Sequence, residues 1–343
     1  MNRTFKTLTA SLLLLGATAC STGSTDATDG TPGATTTTKA EANAFPVTIE
    51  HAFGATTIEE EPVRVATVGW TDQDHVLALG VVPVGATKIT WGGNADGSSD
   101  WFDAKLEEIG GEAPVRYDDT DGLPIDEIAK LEPDVVLATN SGLTQADYDK
   151  LSKFTKVVAF PEHPWVTDWQ DSLEMVGEAL GREEQAETLE DQVEAQIDQA
   201  KSDNPQLEDK ELIYGYLTPT DLSQIGIYSE EDPRVALWDD FGLEDAESVD
   251  GIVEDGQFYG MVSAERANEL TSDVFFTWVE NEADVETITS DRLLGQIPAV
   301  KSGNAYFESD KQLASASTNP TPLSIPVIIS DVLPKVVKAI DGN

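Results

Sequence analysis

Short apolar segments of strand length alternate with helical segments in two stretches of this chain, and one long helical stretch separates the two. In the first stretch the apolar runs are residues 64–68, 134–138 and 156–160, and in the second they are residues 212–217 and 274–278. Strands with continuous apolar sequence are typical of parallel sheets whose two faces are both covered by helices. The sequence therefore predicts an α/β protein with two Rossmann-like lobes, each built on a mainly parallel sheet.

The long helical stretch covers residues 168–201, with a predicted break at Gly181. It divides the chain into a predicted N-terminal lobe of residues 45–166, a linking helical segment of residues 167–203 and a C-terminal lobe of residues 204–343. Open α/β sheets bind ligands beyond the carboxyl ends of their strands. The predicted ligand site is therefore a cleft between the two lobes.

The remaining predicted elements are shorter or less regular. A strand is predicted at residues 80–85, ahead of a glycine-rich loop. In the C-terminal lobe, helices are predicted at residues 264–270 and 291–296. A closing helix is predicted at residues 320–340, where internal prolines indicate an irregular start.

The N-terminus has the order of a secretory signal peptide that ends at the only cysteine of the chain, Cys20. Basic residues come first, a leucine run follows at residues 12–15, and small residues precede the cysteine. A cysteine at this point is the mark of a bacterial lipoprotein signal, although Ala17 stands where a leucine is usual. Residues 1–19 are predicted to be removed, and residues 20–44, rich in Ser, Thr and Ala, to form a lipid-anchored flexible linker. The alternative is an ordinary secreted protein with an incidental cysteine.

The acidic balance of the chain excludes one class of partner. The sequence has 64 Asp and Glu residues against 21 Lys and Arg residues, which gives a formal net charge of −43. Such a surface repels phosphate backbones, so we expect no nucleic-acid binding. The acids are dispersed among a normal share of apolar residues, so the chain is expected to fold. Beyond the leader no apolar run is long enough to span a bilayer, and we expect a monomer that meets the membrane only through its lipid anchor.

Three segments of the chain carry a family resemblance: residues 45–87 contain VATVGWTDQDHVLALG, residues 124–162 contain PIDEIAKLEPDVVLATN, and residues 262–278 are VSAERANELTSDVFFTW. Together they resemble the periplasmic-binding-protein family that serves ABC importers of iron–siderophores, haem and vitamin B12. The resemblance implies two rigid lobes bridged by a helix, small hinge motions and, in Gram-positive members, a lipid anchor. It also implies a receptor that captures a ferric siderophore and delivers it to an ABC permease. A haem or corrinoid receptor of the same family is the alternative.

Enzyme signatures are absent from the sequence. The chain contains neither a GxSxG nucleophile elbow nor a GxxxxGK[ST] phosphate loop. It is therefore expected not to be an enzyme, with a secreted α/β enzyme and a structural adhesin as the alternatives from other classes. Its three histidines are too few to gather around a bare metal ion, so no resident cofactor is expected. In a ferric siderophore, the oxygens of the ligand itself fill the coordination positions of the iron.

Aromatic residues at predicted strand ends and in predicted cleft loops together indicate a large, flat organic ligand, and core packing is the alternative for any one of them. Those expected at the cleft are Trp70, Trp91, Trp101, Trp165, Tyr216 and Trp278. The hydrogen-bond donors expected there are Asn140 and Ser141, which follow a strand, and Ser315 and Ser317, in the loop before the closing helix. His163, in the sequence PEHPW that leads into the linking segment, is expected at the edge of the cleft.

Charged residues suggest two further expectations. Arg116 and Arg234 lie in loop or helix-start positions, where surface salt-bridging is the expected role and a clamp on an anionic ligand is the alternative. Because anionic ligands favour arginine clamps and arginine is scarce, a neutral or cationic hydroxamate complex is favoured. The resemblance implies that one carboxylate on each lobe docks onto arginines of the permease, and the matching positions are Asp126, with Glu127 beside it, and Glu265. The alternative role of these acids is to stabilise their own helices through the helix dipole.

Overall fold

The computed structural model describes residues 39–254 and 256–342. Cys20, the predicted signal peptide and most of the predicted linker lie outside the described residues. Among the residues described, no helix is both long enough and apolar enough to cross a bilayer.

The N-terminal lobe is built on a five-stranded parallel sheet beside an antiparallel hairpin. Its strands are β1 (Val47–His51), β2 (Gly54–Ile58), β3 (Val65–Thr67), β4 (Gly85–Thr87), β5 (Val115–Tyr117), β6 (Val135–Ala138) and β7 (Lys156–Ala159). Its helices are α1 (Asp72–Ala78), α2 (Asp100–Glu108), α3 (Ile125–Lys130) and α4 (Gln145–Leu151). The sheet has the order β5-β4-β3-β6-β7, so the strand order reverses between β3 and β6. At such a switch point, α/β proteins bind their ligands.

Two helices, α5 (Trp169–Leu180) and α6 (Glu183–Asp203), link the lobes. The predicted break at Gly181 is confirmed, because this residue ends α5 with φ 65° and ψ 39°. Glycine adopts this left-handed conformation without a steric penalty. A β-carbon at Gly181 would also lie 2.6 Å from the ring of Phe45, so the chain that leads into β1 packs closely against the break.

The C-terminal lobe is built on a six-stranded mixed sheet. Its strands are β8 (Lys210–Thr218), β9 (Asp221–Tyr228), β10 (Leu243–Asp245), β11 (Tyr259–Ser263), β12 (Val274–Trp278) and β13 (Ala305–Glu308). Its α-helices are α7 (Pro233–Asp240), α8 (Glu282–Ser290), α9 (Pro298–Ser302), α10 (Lys311–Thr318), α11 (Ile325–Val327) and α12 (Leu333–Ile340), with a π-helical turn (Ile328–Val332) between the last two. Strands β10, β12 and β13 run parallel to β8, whereas β9 pairs antiparallel with both β8 and β11. The predicted fold class, two α/β lobes with mainly parallel sheets, is confirmed.

The structure corrects several predicted elements. The strand predicted at residues 80–85 is wrong in its position, because β4 begins only at Gly85. Pro83 precedes it and has no N–H to donate to a neighbouring strand. The helices predicted at residues 264–270 and 291–296 are short 3-10 helices, Ala264–Glu269 and Leu294–Gln296.

Helix α10 replaces the loop that was predicted before the closing helix. The side chain of Asp310 caps α10, because its Oδ1 accepts hydrogen bonds from the backbone N–H of Gln312 at 3.0 Å and of Leu313 at 3.3 Å. Ser315 and Ser317 therefore lie on a helix, and both are buried.

One apolar core extends through both lobes. Its buried members include Val65, Val135, Leu173, Val176, Tyr214, Phe276, Ile325 and Ile328. These residues come from both sheets, from α5 and from the C-terminal segment, residues 311–340. The linking helices and the C-terminal segment thus both hold the lobes together.

Candidate ligand-binding site

A cavity of about 390 Å³ lies between the two lobes. The residues that line it are Trp70, Trp91, Asn140 and Trp165 from the N-terminal lobe, and Tyr228, Asp232, Pro233, Arg234, Phe258, Trp278, Thr318 and Asn319 from the C-terminal lobe. Trp70 and Asn140 follow β3 and β6, the two strands at which the strand order reverses. The structure thus places five of the predicted site residues, Trp70, Trp91, Asn140, Trp165 and Trp278, around one cavity.

A larger groove of about 970 Å³ lies on the N-terminal lobe alone. It is formed near the amino ends of β3, β6 and β7, where Glu60, Arg64 and Lys156 give it a mixed charge. Phe154 is its one aromatic side chain. Because ligands of α/β proteins bind at the carboxyl ends of strands, we take the aromatic cavity between the lobes as the ligand site.

Two tryptophans from different lobes meet at the edge of the cavity. Trp91 follows β4, Trp278 ends β12, and their ring centroids are 4.5 Å apart. The Nε1–H of Trp91 donates to Oε1 of Glu280 at 3.3 Å, and Nζ of Lys311 lies 2.5 Å from Oε2 of the same carboxylate. Tyr216 packs on Trp278 with ring centroids 5.0 Å apart. This predicted site residue lies outside the cavity lining and contacts Trp278, which is part of it.

Trp165 and Asn140 reach the cavity from two loops of the N-terminal lobe. Trp165 is 39% exposed and has a left-handed backbone with φ 69°. One edge of its indole ring lies against the backbone of Gly142. Asn140 is buried, and its Oδ1 has no hydrogen-bond partner among the described residues.

Arg234 is a cavity residue, which corrects its expected role in surface salt-bridging. Its Nε–H donates to Oδ1 of Asp232 at 2.6 Å, and its guanidinium carbon lies 3.7 Å from the ring centroid of Tyr228. Burial alone would lower the pKa of Arg234, but the adjacent Asp232 carboxylate raises it, so the guanidinium stays charged. Burial raises the pKa of Asp232, and Arg234 opposes that shift. Asp232 also caps α7 by accepting a hydrogen bond from the backbone N–H of Arg234 at 3.0 Å. The cavity therefore contains one fixed guanidinium held between a carboxylate and an aromatic ring.

Three predicted hydrogen-bond donors, Ser141, Ser315 and Ser317, lie outside the cavity lining, and Ser315 is 3% exposed. Ser141 is 1% exposed, and its hydroxyl donates to the carbonyl of Ala138 at 3.0 Å. Ser317 is fully buried in α10, where its hydroxyl donates to the carbonyl of Leu313 at 2.9 Å. Because both hydroxyls are used inside the protein, neither is available to a ligand in this structure. Thr318 and Asn319, at the end of the same helix, line the cavity instead.

Trp101 and His163 also lie outside the cavity lining. The Nε1–H of Trp101, on α2, donates to Oδ2 of the buried carboxylate of Asp74 at 2.7 Å, so this indole helps to fix α1. His163 is exposed and sits beside the backbone of Gly256 in the C-terminal lobe, with its Nε2 3.2 Å from where a β-carbon of that glycine would be.

Beneath Trp70, helix α1 carries buried titratable side chains. Burial raises the pKa of Asp72 to about 6, although hydrogen bonds from the backbone and hydroxyl of Thr139 oppose the shift. Burial also raises the pKa of Asp74 to about 7 and lowers that of His75 to about 4. The carboxyl groups of Asp72 and Asp74 therefore gain or lose their protons near neutral pH, close to the ligand cavity.

Arg116 is likewise not a surface residue with an ion-pair role. Its guanidinium donates to Oγ of Ser98 at 2.7 Å and to Oε1 of Gln73, and lies 4.8 Å from the ring centroid of Phe102. Burial lowers the pKa of Arg116, and Asp74 is the strongest of the acidic neighbours that oppose this shift. Arg116 therefore stabilises the loop after β4 and lies outside the cavity lining.

The remaining predicted site residues are acids on the surface. Asp126 and Glu127 are exposed in the first turn of α3, and Glu265 is exposed at the start of the 3-10 helix that follows β11. Within residues 39–254 and 256–342, no cluster of three or more His, Cys, Asp or Glu residues is arranged to hold a metal ion.

Sequence reasoning missed the part of the cavity that the C-terminal lobe contributes after β9. Tyr228 ends that strand, and Asp232 and Pro233 begin α7 a few residues later. An Asp followed by Pro is typical of a helix start, and a helix start directly after a strand lies at the end of the sheet. That local signal predicts that Arg234 lies at the ligand-binding edge of the C-terminal sheet. Phe258 follows a loop without regular structure, and no local signal marks it.

Comparisons with known proteins show which family this chain resembles in sequence and fold. The family model described as periplasmic binding protein matches residues 65–310. The probable siderophore-binding lipoprotein YfiY of Bacillus subtilis strain 168 is 27% identical over 282 residues, which are 77% of this chain and 80% of the relative. Among solved structures, PiaA of Streptococcus pneumoniae TIGR4 in complex with ferrichrome is 36% identical with a TM-score of 0.81, over 86% of this chain and 99% of its own. A periplasmic solute binding protein from Mycobacterium smegmatis str. MC2 155 is 27% identical with a TM-score of 0.74, over 86% of this chain and 98% of its own.

Proposed function

Because the chain belongs to the periplasmic binding protein family, we propose that it is the substrate-binding receptor of an ABC importer and that its substrate is a ferric siderophore. One observation carries the proposal: four tryptophans from both lobes surround a single cavity at the switch point of the N-terminal sheet. Two similar proteins support it, since one is described as a probable siderophore-binding lipoprotein and the other was solved with ferrichrome. A receptor of this kind carries its ligand unchanged, and we propose no enzymatic activity.

The cavity residues suggest how the ligand is held. Tryptophan faces bury the apolar periphery of the ligand, because flat aromatic side chains offer a large contact area with little loss of conformational entropy. Asn140 and Arg234 offer polar groups to ligand oxygens. The iron is cargo, and we propose that all its coordination positions are filled by oxygens of the siderophore. The protein would then hold no cofactor of its own.

The charge of the cavity favours one class of siderophore. Its one lining arginine, Arg234, is already paired with Asp232, so the pair adds no net charge. A strongly anionic catecholate or citrate complex would lack a compensating cation in the lining. A neutral or cationic hydroxamate complex needs no such cation, and we propose this class as the substrate.

We further propose where the receptor works. Cys20 is the lipidated first residue of the mature protein and holds it as a monomer on the outer face of the cell membrane. Asp126, with Glu127 as its neighbour, and Glu265 dock the two lobes onto arginines of the permease. The exposure of all three acids supports this role, because a docking carboxylate must be accessible.

Native mass spectrometry and tryptophan fluorescence test the proposal. The ferric forms of ferrichrome and ferrioxamine B are offered beside a ferric catecholate, haem and cobalamin, with the iron-free hydroxamates as matched controls. We expect one-to-one binding of a ferric hydroxamate with strong fluorescence quenching. Tight binding of haem or cobalamin without binding of any ferric siderophore would overturn the assignment of the substrate, and turnover of an offered compound would overturn the receptor role.

A further inference from the structure

Trp165 is held in a conformation that its own backbone disfavours. Its φ of 69° lies in the left-handed region, which bulky residues adopt rarely. It lies between β7 and α5, with 39% of its surface exposed and its side chain in the lining of the cavity. Contacts with other residues must therefore hold Trp165 in this conformation.

Gly142 supplies the closest of these contacts that the structure reveals. It lies in the loop after β6, two residues beyond Asn140. A β-carbon at residue 142 would lie 2.8 Å from Cζ2, 2.8 Å from Nε1 and 2.9 Å from Cε2 of Trp165. These are its three nearest neighbours, and all are closer than β-carbons approach other atoms in real proteins. The indole therefore occupies the space that any other side chain at residue 142 would need.

The backbone of Gly142 does not itself require glycine. Its φ is outside the left-handed region, unlike that of Gly69, which precedes Trp70. Residue 142 is also exposed, so an added methyl group would not open or overfill the core. What the missing side chain provides at this position is room for the indole of Trp165.

We propose that Gly142 is a positioning residue for ligand binding: the absence of its side chain lets the Trp165 indole rest on the 140–142 loop and present itself to the cavity. The expected effect of Gly142 on ligand affinity depends on the proposed function. The expected position of the Trp165 indole depends only on the geometry of the protein.

The variant Gly142→Ala tests the inference, and Trp165→Ala supplies the matched background. With ferric ferrichrome as the probe, Gly142→Ala should weaken binding roughly fivefold to tenfold. A displaced indole loses only part of its contact with the ligand, so the loss of affinity should be smaller than the loss caused by removing the indole. In the Trp165→Ala background the same substitution should change affinity by less than about twofold, because the group that it displaces is gone. Equal affinity of Gly142→Ala and the parent, or an equal loss in both backgrounds, would overturn the inference.

A second measurement separates this inference from the identity of the ligand. Fluorotryptophan NMR of the free protein gives one resonance per indole, and Trp165→Phe identifies the resonance of Trp165. Gly142→Ala should shift that resonance more than the other tryptophan resonances. If the resonance moves but no ferric siderophore binds the parent protein, the proposed substrate fails and the positioning role stands. If the resonance stays in place, the positioning role fails whatever the ligand is.

Discussion

Replacing Asp74 by asparagine should flatten the dependence of the protein's stability on pH. The carboxylate of Asp74 is almost fully buried, and its Oδ2 accepts hydrogen bonds from Nε1–H of Trp101 at 2.7 Å and from the hydroxyl of Thr321 at 2.9 Å. Burial raises the pKa of Asp74 from 3.8 to about 7, although those two hydrogen bonds and the charge of Arg116 oppose the shift. An asparagine side chain can accept both hydrogen bonds but cannot titrate.

The sign of the effect follows from which state binds the proton more tightly. With a pKa of about 7, the folded state holds the proton at a pH where the unfolded chain, near 3.8, has released it. Asp74 therefore favours folding at low pH, and this contribution is lost as the pH rises from about 4 to about 7. Each pKa unit corresponds to about 1.4 kcal/mol, so the two units between pH 5 and pH 7 lower the free energy of unfolding by about 3 kcal/mol.

Urea unfolding at pH 5, 6, 7 and 8 measures this difference. The parent should lose about 3 kcal/mol more than Asp74→Asn between pH 5 and pH 8. The raised pKa of Asp72 is shared by both proteins, so its contribution cancels in the comparison. Asp121→Asn, at an exposed aspartate, is the matched control and should follow the parent. Parallel profiles for the parent and Asp74→Asn would refute the reasoning, whatever their absolute stabilities.

Three further outcomes are expected. Trp70→Ala should weaken binding of the ferric siderophore by roughly 1–3 kcal/mol in a fluorescence titration, and an unchanged affinity would mean that the ligand lies elsewhere. Cys20→Ala should release the protein from the membrane fraction or leave its leader uncleaved, whereas a mature N-terminus at another residue, read by mass spectrometry, would contradict lipidation at that cysteine. The triple variant Asp126→Arg, Glu127→Arg, Glu265→Arg should fold and bind ligand normally but fail in cellular iron uptake, and normal uptake would refute the docking role.

The parts of the site that the sequence predicted are those fixed by local pattern. Trp70 and Asn140 each follow a short apolar run, and the residue after a buried parallel strand lies at the ligand edge of the sheet. Trp278 ends such a run itself. The fold class was predictable for the same reason, since buried strands and helices differ in their periodicity.

The parts that the sequence did not predict depend on contacts between distant segments. The role of Trp101 is set by Asp74, which lies 27 residues away. Arg234 is different, because the helix start at Asp232 and Pro233 beside it is a local signal. Ser317 was misplaced for a local reason, because small polar residues such as those of α10 are typical of loops as well as of capped helices. No periodicity distinguishes a tryptophan that lines a cavity from one that supports a helix beneath it.

The C-terminal segment has a mechanical consequence for the exchange of ligand. Besides the linking helices, the lobes are joined by the hydrogen bond from Thr321 to Asp74 and by one from the backbone N–H of Asp100 to Oε1 of Gln312, at 3.2 Å. Two rigid bodies that are joined at two separate points can rotate relative to each other only about the line through those points. We therefore expect the lobes to rotate about a fixed axis without twisting or sliding apart. The displacement should be largest at the edge of the cavity that lies farthest from that axis. Opening the cavity would then break the contacts of Trp91 with Trp278 and Glu280, which cross from one lobe to the other.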